Sequence, residues 1–159
     1  MTKLYRRNVG VIVCRDNKVL LCARADRSDM QWQFPQGGIE KDEDIVEAAK
    51  RELFEETGIS SVTFRTKMPI SLKYDFPKGD KRHCFAPYSG QEQSWVLFDF
   101  VGDDSEINFF TNPEEIEFKA FEWVDISEAP KRIVAFKKDV YQKVAEYFSP
   151  IIKENNNER

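Results

Sequence analysis

Histidine is nearly absent from this chain: His83 is the only one in 159 residues. Cysteine is scarce too, and the spacing of Cys14, Cys22 and Cys84 matches no zinc-ligand pattern. One histidine cannot complete a typical Cys/His site around them. An odd, sparse set of thiols argues against a disulfide framework and for a reducing compartment. No apolar run approaches the roughly 20 residues of a membrane span. Residues 1–10 carry Arg6 and Arg7 without the long apolar stretch of a secretory signal. These absences predict a cytoplasmic protein that does not enter a membrane. Positive charge is not in excess either: 24 Lys plus Arg stand against 28 Asp plus Glu, a net charge of −4. That balance excludes a generic basic nucleic-acid binder, although a local basic cleft is compatible with it.

Apolar residues are plentiful at 41% of the chain, enough for one domain with a substantial core. Residues 9–14 and 19–23 are short apolar runs around the polar turn Arg15-Asp16-Asn17-Lys18, which predicts a β-hairpin. The loop that follows contains Trp32-Gln33-Phe34-Pro35-Gln36-Gly37-Gly38, where the proline and the glycines oppose helix. Asp44 as N-cap, an apolar stripe at Ile45, Ala48, Ala49 and Leu53, and a stop at Gly58 predict a helix over 45–57. Further strands are predicted over 62–64, 70–76, 95–101 and 118–124. A last helix is predicted from near Phe136, where Phe136, Val140, Val144 and Phe148 recur every four residues. The element order predicts an α+β sandwich with a mixed sheet. One domain is expected over residues 1–150, followed by a frayed tail over 151–159.

The chemistry concentrates in residues 37–59. On a helix, Glu52, Glu55 and Glu56 stand at i, i+3 and i+4, so three carboxylates share one face. Like charges so placed repel one another, more strongly when desolvated, and call for a cation between them. Hard divalent ions such as Mg²⁺ or Mn²⁺ take carboxylate oxygens and leave positions for water and phosphate. The plainer alternative is a solvated acidic helix face. Between Glu40 and Glu56 lie eight acidic and three basic residues, a local charge of −5, which leaves 20 acidic and 21 basic residues elsewhere. The overall acidity therefore belongs to this segment, and the remainder is nearly neutral.

The whole pattern decides between those alternatives. Gly37, Glu43, Arg51-Glu52-Leu53, Glu55-Glu56 and Gly58-Ile59 occupy nine positions of a 23-residue spacing that resembles the Nudix box at every one. The Nudix hydrolases cleave nucleoside diphosphates linked to another moiety. The resemblance implies an α/β/α sandwich with a loop-helix-loop catalytic motif. It implies Glu52, Glu55 and Glu56 as metal ligands with Gly37 contributing its carbonyl, and Gly38, Glu43, Arg51 and Gly58 as structural members of the motif. A helix glutamate, or a more distant one, then activates the attacking water; which one is left open.

Outside the box, Tyr5-Arg6-Arg7-Asn8-Val9-Gly10, the Trp32 to Gly38 run, Gly90-Gln91-Glu92-Gln93-Ser94-Trp95, Glu117-Phe118 and Phe136-Lys137-Lys138-Asp139-Val140-Tyr141 look like the bacterial RNA pyrophosphohydrolases, also described as dinucleoside polyphosphate hydrolases. The likeness implies removal of pyrophosphate from a 5′-triphosphorylated RNA end, the step that opens RNA degradation, or cleavage of dinucleoside polyphosphates. It implies water as nucleophile, Mg²⁺ or Mn²⁺ as cofactor with more than one ion when substrate is bound, and Glu117 completing the metal site. Arg6, Arg24 or Arg27, and Lys137 are the candidate phosphate ligands, Phe136 the candidate nucleobase contact, and Tyr74 lines up with a ligand-cleft tyrosine of the group. Each has a plainer alternative: Phe136 and Tyr74 as packing residues, Lys137 on a solvated face, Arg6 flanking an edge strand, and Glu114 or Glu115 in place of Glu117. A free-nucleotide pyrophosphatase shares the box, and a non-catalytic Nudix-like binding module is disfavoured because all three helix glutamates are present.

Overall fold

The computed structural model describes residues 3–77 and 87–157, with side chains up to residue 154; His83 and Cys84 lie outside the described residues. The first strand, β1 (Tyr5–Arg15), turns through Asp16 and Asn17 into β2 (Lys18–Arg24). Both turn residues have positive φ, 52° and 66°, and Arg15 faces Lys18 across the pair. That is the two-residue hairpin whose twist matches the flanking strands. Two short strands follow, β3 (Trp32–Gln33) and β4 (Gln36–Gly38), and then helix α1 (Ile45–Thr57). Beyond α1 come β5 (Val62–Lys67), β6 (Leu72–Asp75), β7 (Gly90–Phe100), β8 (Phe118–Val124), the short α2 (Ala129–Arg132) and α3 (Lys138–Asn157).

Among the described residues the strands form one eight-stranded sheet with the path β3-β2-β1-β7-β5, to which β4, β6 and β8 attach. It is mixed. The long β1–β7 pairing is parallel, from Tyr5↔Gly90 to Cys14↔Asp99, and the other pairings are antiparallel. Strand alternation sends β1 side chains to both faces. Val9, Val11 and Val13 pack with Ala48, Ala49 and Leu53 of α1. Ile12 and Cys14 pack on the other side with Val140, Tyr141, Val144 and Phe148 of α3. The result is the α/β/α sandwich, with α1 on one face and α2 and α3 on the other.

Several predicted boundaries moved, the largest shift among the strands being that of β7, which begins at Gly90 and not at residue 95, while β5 runs on from 64 to Lys67. The strand expected from residue 70 begins at Leu72, because Ile70 is an exposed residue of the preceding turn. The last helix continues through Pro150 to Asn157, across residues expected to fray, and Ile152 is buried in the core.

The segment 32–38 was expected as a loop, but it holds both β3 and β4. Phe34 packs against both Trp95 and Tyr141, with ring centroids 5.7 and 5.1 Å away, and its backbone N–H donates to the Tyr141 hydroxyl at 2.9 Å. The Pro35 carbonyl accepts from Val11 N–H at 2.9 Å, and Gly37 and Gly38 then pair with Val9 and Asn8. This double anchoring aims the Gly-Gly stretch at the start of the site.

Candidate active site

Helix α1 begins where the Asp44 carboxylate accepts from the N–H groups of Val46 and Glu47, at 3.1 and 3.2 Å, satisfying two of the otherwise unpaired first-turn donors. It ends at Gly58, whose φ of 79° is the left-handed conformation that favours glycine and whose N–H donates to the Phe54 carbonyl. The buried stripe of α1 includes Glu56 beside Ala48, Ala49 and Leu53, so a carboxylate occupies a position that the apolar periodicity would give to a hydrophobe.

Arg51 ties the loop to the helix. Its guanidinium donates twice to Glu43 at 2.8 and 2.9 Å, to the Gly38 carbonyl at 2.9 Å, and to Glu52 at 2.8 Å. Glu43 also accepts from Glu40 N–H at 3.0 Å. The bidentate arginine holds Glu43 at about 2, so this brace stays charged at any ordinary pH. Gly37 has a different duty. A Cβ there would run into the Glu52 carboxylate, so only glycine lets the loop backbone lie so close to it.

A cleft of about 550 Å³ opens between this loop, the helix and the ends of β2 and β8. Glu52, Glu55 and Glu56 line it together, and so do Gly37, Gly38, Arg6, Arg24 and Glu117. Glu117 arrives because β8 pairs with β2 through an irregular register at Ala23/Arg24, which sets Arg24 opposite Phe118, while Ala25 N–H donates to the Glu117 carbonyl at 2.8 Å. A register irregularity beside a site is a common way to re-aim side chains. Glu115 also reaches the cleft, and Glu114 is not among its lining. Of the two arginines weighed for phosphate, Arg24 lines the cleft, held by Asp26 at 2.6 and 2.9 Å. Arg27 is turned to Asp29 and is not part of the lining.

Six carboxylates face two guanidiniums across this space, and three of them, Glu52, Glu56 and Glu117, are raised above their ordinary range. Burial pushes Glu52 up to about 7 against the pull of Arg51. Glu56, almost wholly enclosed, is driven well above the usual carboxylate range by burial and by the neighbouring Glu52 and Glu117 charges; it accepts one hydrogen bond, from Gln36 N–H at 3.2 Å. Glu117 is exposed at the rim, yet the protein around its carboxyl desolvates it enough to raise it as well. Among the described residues no group of three or more carboxylates is already drawn together around one point; Arg51 holds Glu52 at 2.8 Å and reaches Glu55 at 3.4 Å. The donor set is nevertheless all hard oxygen, crowded and poor in cationic partners, and it fits a divalent cation that would keep these groups ionised.

The NUDIX domain model matches residues 4–144. The chain belongs to the Nudix family. It is 38% identical to an RNA pyrophosphohydrolase of Bartonella bacilliformis, over 93% of this chain and 94% of that protein. It is 40% identical to an RNA pyrophosphohydrolase of Caulobacter vibrioides, over 91% of this chain and 86% of that one. In fold it matches the E. coli dihydroneopterin triphosphate pyrophosphohydrolase with a TM-score of 0.69 at 21% identity, covering 91% of this chain and 99% of the other. Nudix hydrolases are generally dependent on divalent metal, in keeping with the oxygen-rich cleft of this Nudix domain.

Three candidate substrate contacts fall elsewhere in the Nudix domain. Tyr74 is buried against Phe76 and Phe136, with centroids 6.1 and 5.7 Å away, and together Tyr74 and Phe136 line a smaller cavity of about 390 Å³. Lys137 is 2% exposed, its ammonium 5.4 Å from the Tyr74 ring centroid and 5.8 Å from that of Phe136, and it is not part of the carboxylate cleft. Conversely, the site contains residues that motif reading left out. Asn8, Gln33, Gln36 and Gln91 line the cleft, and Gln93 donates to Asn8 at 2.9 Å and to Gln36 at 2.7 Å. Asn8 Nδ2, Gln91 Oε1 and Gln93 Oε1 are buried without a partner. Apolar periodicity gave no signal for them, because Asn8 precedes the run 9–14 and Gln91 and Gln93 lie in the polar stretch before the strand expected from residue 95. Among the described residues, no helix is long and apolar enough to cross a membrane.

Proposed function

We propose that this protein is a metal-dependent pyrophosphohydrolase that removes pyrophosphate from the 5′-triphosphate end of RNA, leaving a 5′-monophosphate, and that it also cleaves dinucleoside polyphosphates. The observation that carries this reading is the arrival of Glu117, far along the chain from α1, in the same cleft as Glu52, Glu55 and Glu56, with Arg6 and Arg24 on its walls. The likeness to proteins named RNA pyrophosphohydrolase over nine-tenths of the chain supports the substrate.

Glu52, Glu55, Glu56 and Glu117, with the Gly37 carbonyl, would hold Mg²⁺ or Mn²⁺, and more than one ion with substrate bound. Bound there, the metal neutralises phosphate charge and acidifies water. Arg6 and Arg24 present guanidiniums to the phosphate chain, a geometry suited to its oxygens. Arg51 positions Glu52 and the loop carbonyl of Gly38 through the bonds described above. The carboxylates of the cleft accept the proton of the attacking water. Water supplies the new oxygen on phosphorus, the anhydride bridge breaks, and pyrophosphate leaves. The enzyme acts in the cytoplasm at the opening of RNA degradation.

The test is hydrolysis of 5′-triphosphate RNA, diadenosine tetraphosphate and free nucleoside triphosphates in Mg²⁺, read by chromatographic separation of the products, comparing wild type with Glu56→Gln. The expected outcome is turnover of the RNA by wild type and a loss of about 10²–10⁴-fold in the variant. Equal, negligible turnover by both proteins refutes the hydrolase reading. Preference for free nucleotides over RNA moves the activity to nucleotide sanitation.

A further inference from the structure

A second cavity, of about 570 Å³, adjoins the carboxylate cleft and shares Arg6, Gly38 and Glu52 with it. The two spaces have opposite character. Where the first gathers six carboxylates against two cations, the second gathers Arg6, Arg7, Lys41 and Arg51 against Glu40 and Glu52. Arg51 is committed to Glu43, but among the described residues neither the Arg7 side chain nor the Lys41 side chain is paired with a carboxylate. Two tyrosines complete the wall. Tyr5 is held in place by donating its hydroxyl to Asp75 at 2.7 Å, with the Lys73 ammonium 5.1 Å from its ring centroid. Tyr88 is 41% exposed at the opening. The divide between the spaces is low, because Gly38 has no side chain and the Arg6 guanidinium lies directly against its Cα.

A cavity of this volume suits a ligand of nucleotide size, well beyond two phosphates. Unpaired Arg and Lys recognise phosphate, and tyrosine rings offer the faces on which bases stack. A 5′-triphosphate RNA has only phosphate beyond its scissile bond, which leaves the tyrosines without a partner. A dinucleoside polyphosphate has a second nucleoside there. We propose that this basic cavity is the subsite for the second nucleoside phosphate of a dinucleoside polyphosphate. The phosphate chain passes from the carboxylates over Gly38 beside Arg6, Arg7 and Lys41 neutralise the distal phosphate, and Tyr88 and Tyr5 receive the base. The assignment rests on the pyrophosphohydrolase reading above and names the residues that give it a second substrate class.

The test separates the two. Calorimetric titration of diadenosine tetraphosphate into Glu56→Gln protein reads binding without turnover, alone and combined with Arg7→Ala/Lys41→Ala or with Tyr88→Ala. Both sets of changes are at exposed side chains, and circular dichroism verifies the fold. The dissociation constant is expected to weaken at least fivefold in each combination. In the otherwise wild-type protein the same changes should raise KM for diadenosine tetraphosphate and shift KM for 5′-triphosphate RNA by less than twofold. Unchanged affinity, no binding at all, or an equal loss for both substrates overturns the subsite; the last outcome would make the cavity a simple polyphosphate contact. Weakened binding in a protein that hydrolyses neither substrate refutes the hydrolase reading and leaves the subsite standing.

Discussion

Raising the pH of metal-free protein should destabilise it. Glu52 sits at about 7 against an ordinary 4.5, and Glu56 and Glu117 are displaced in the same direction. A carboxyl whose folded pKa lies above its unfolded one contributes stability that is complete below the unfolded value and is lost as pH rises through the folded value. For Glu52 alone that linkage amounts to about 2.5 kcal/mol lost between about pH 5 and about pH 8. For a chain of this length each kcal/mol moves Tm by roughly 3 °C, so the fall is about 7 °C from this one group. Glu56 and Glu117 add to it. Glu43 and Asp26, whose pKa values are lowered by arginine, lose their contribution only below about pH 4.5 and leave this window clear. The assay is thermal unfolding followed by circular dichroism at several pH values, in chelator and in millimolar Mg²⁺. Tm should fall with pH in chelator, and the rise produced by Mg²⁺ should be larger at pH 8 than at pH 5, because the ion competes with protons for the same oxygens. A Tm that is flat or rising from pH 5 to pH 8 in chelator would refute the placement of these carboxyls in a desolvated, like-charged cleft.

Two further outcomes follow from single contacts. Gly37→Ala brings a methyl group into the Glu52 carboxylate; kcat/KM for triphosphate RNA should fall about 100-fold with only a small change in Tm, since displacement of a reacting group by an ångström costs about that much. Tyr141→Phe strips the acceptor from the buried Phe34 N–H, and chemical denaturation should show a loss of about 1–3 kcal/mol, the cost of a buried donor left unmade.

Local signals were strong where the physics is local. The hairpin at Asp16-Asn17, the span and both caps of α1, and the shared face of Glu52, Glu55 and Glu56 all depend on residues within a turn or two of one another. The β3 and β4 strands were not legible in Trp32 to Gly38, because their backbone bonds go to β2 and β1 and their position depends on Phe34 reaching Trp95 and Tyr141. Lys137 was weighed as a phosphate ligand, but it lies under Tyr74 and Phe136 because the turn 135–137 packs onto β6, a neighbour remote in sequence.

The amino-acid sequence alone determined the family, the α+β class and the acidic face of α1, since a spaced pattern of glycine, arginine and glutamate around a capped helix carries its geometry with it. Only the tertiary structure decided that Arg24 and not Arg27 lines the cleft, that Glu117 reaches it beside Glu115, that buried amides of β1 and β7 face the carboxylates, and that a basic cavity stands across Gly38 from them. Those outcomes turn on strand register and on which loops meet at the sheet's end, and a one-residue shift in register sends a side chain to the opposite face.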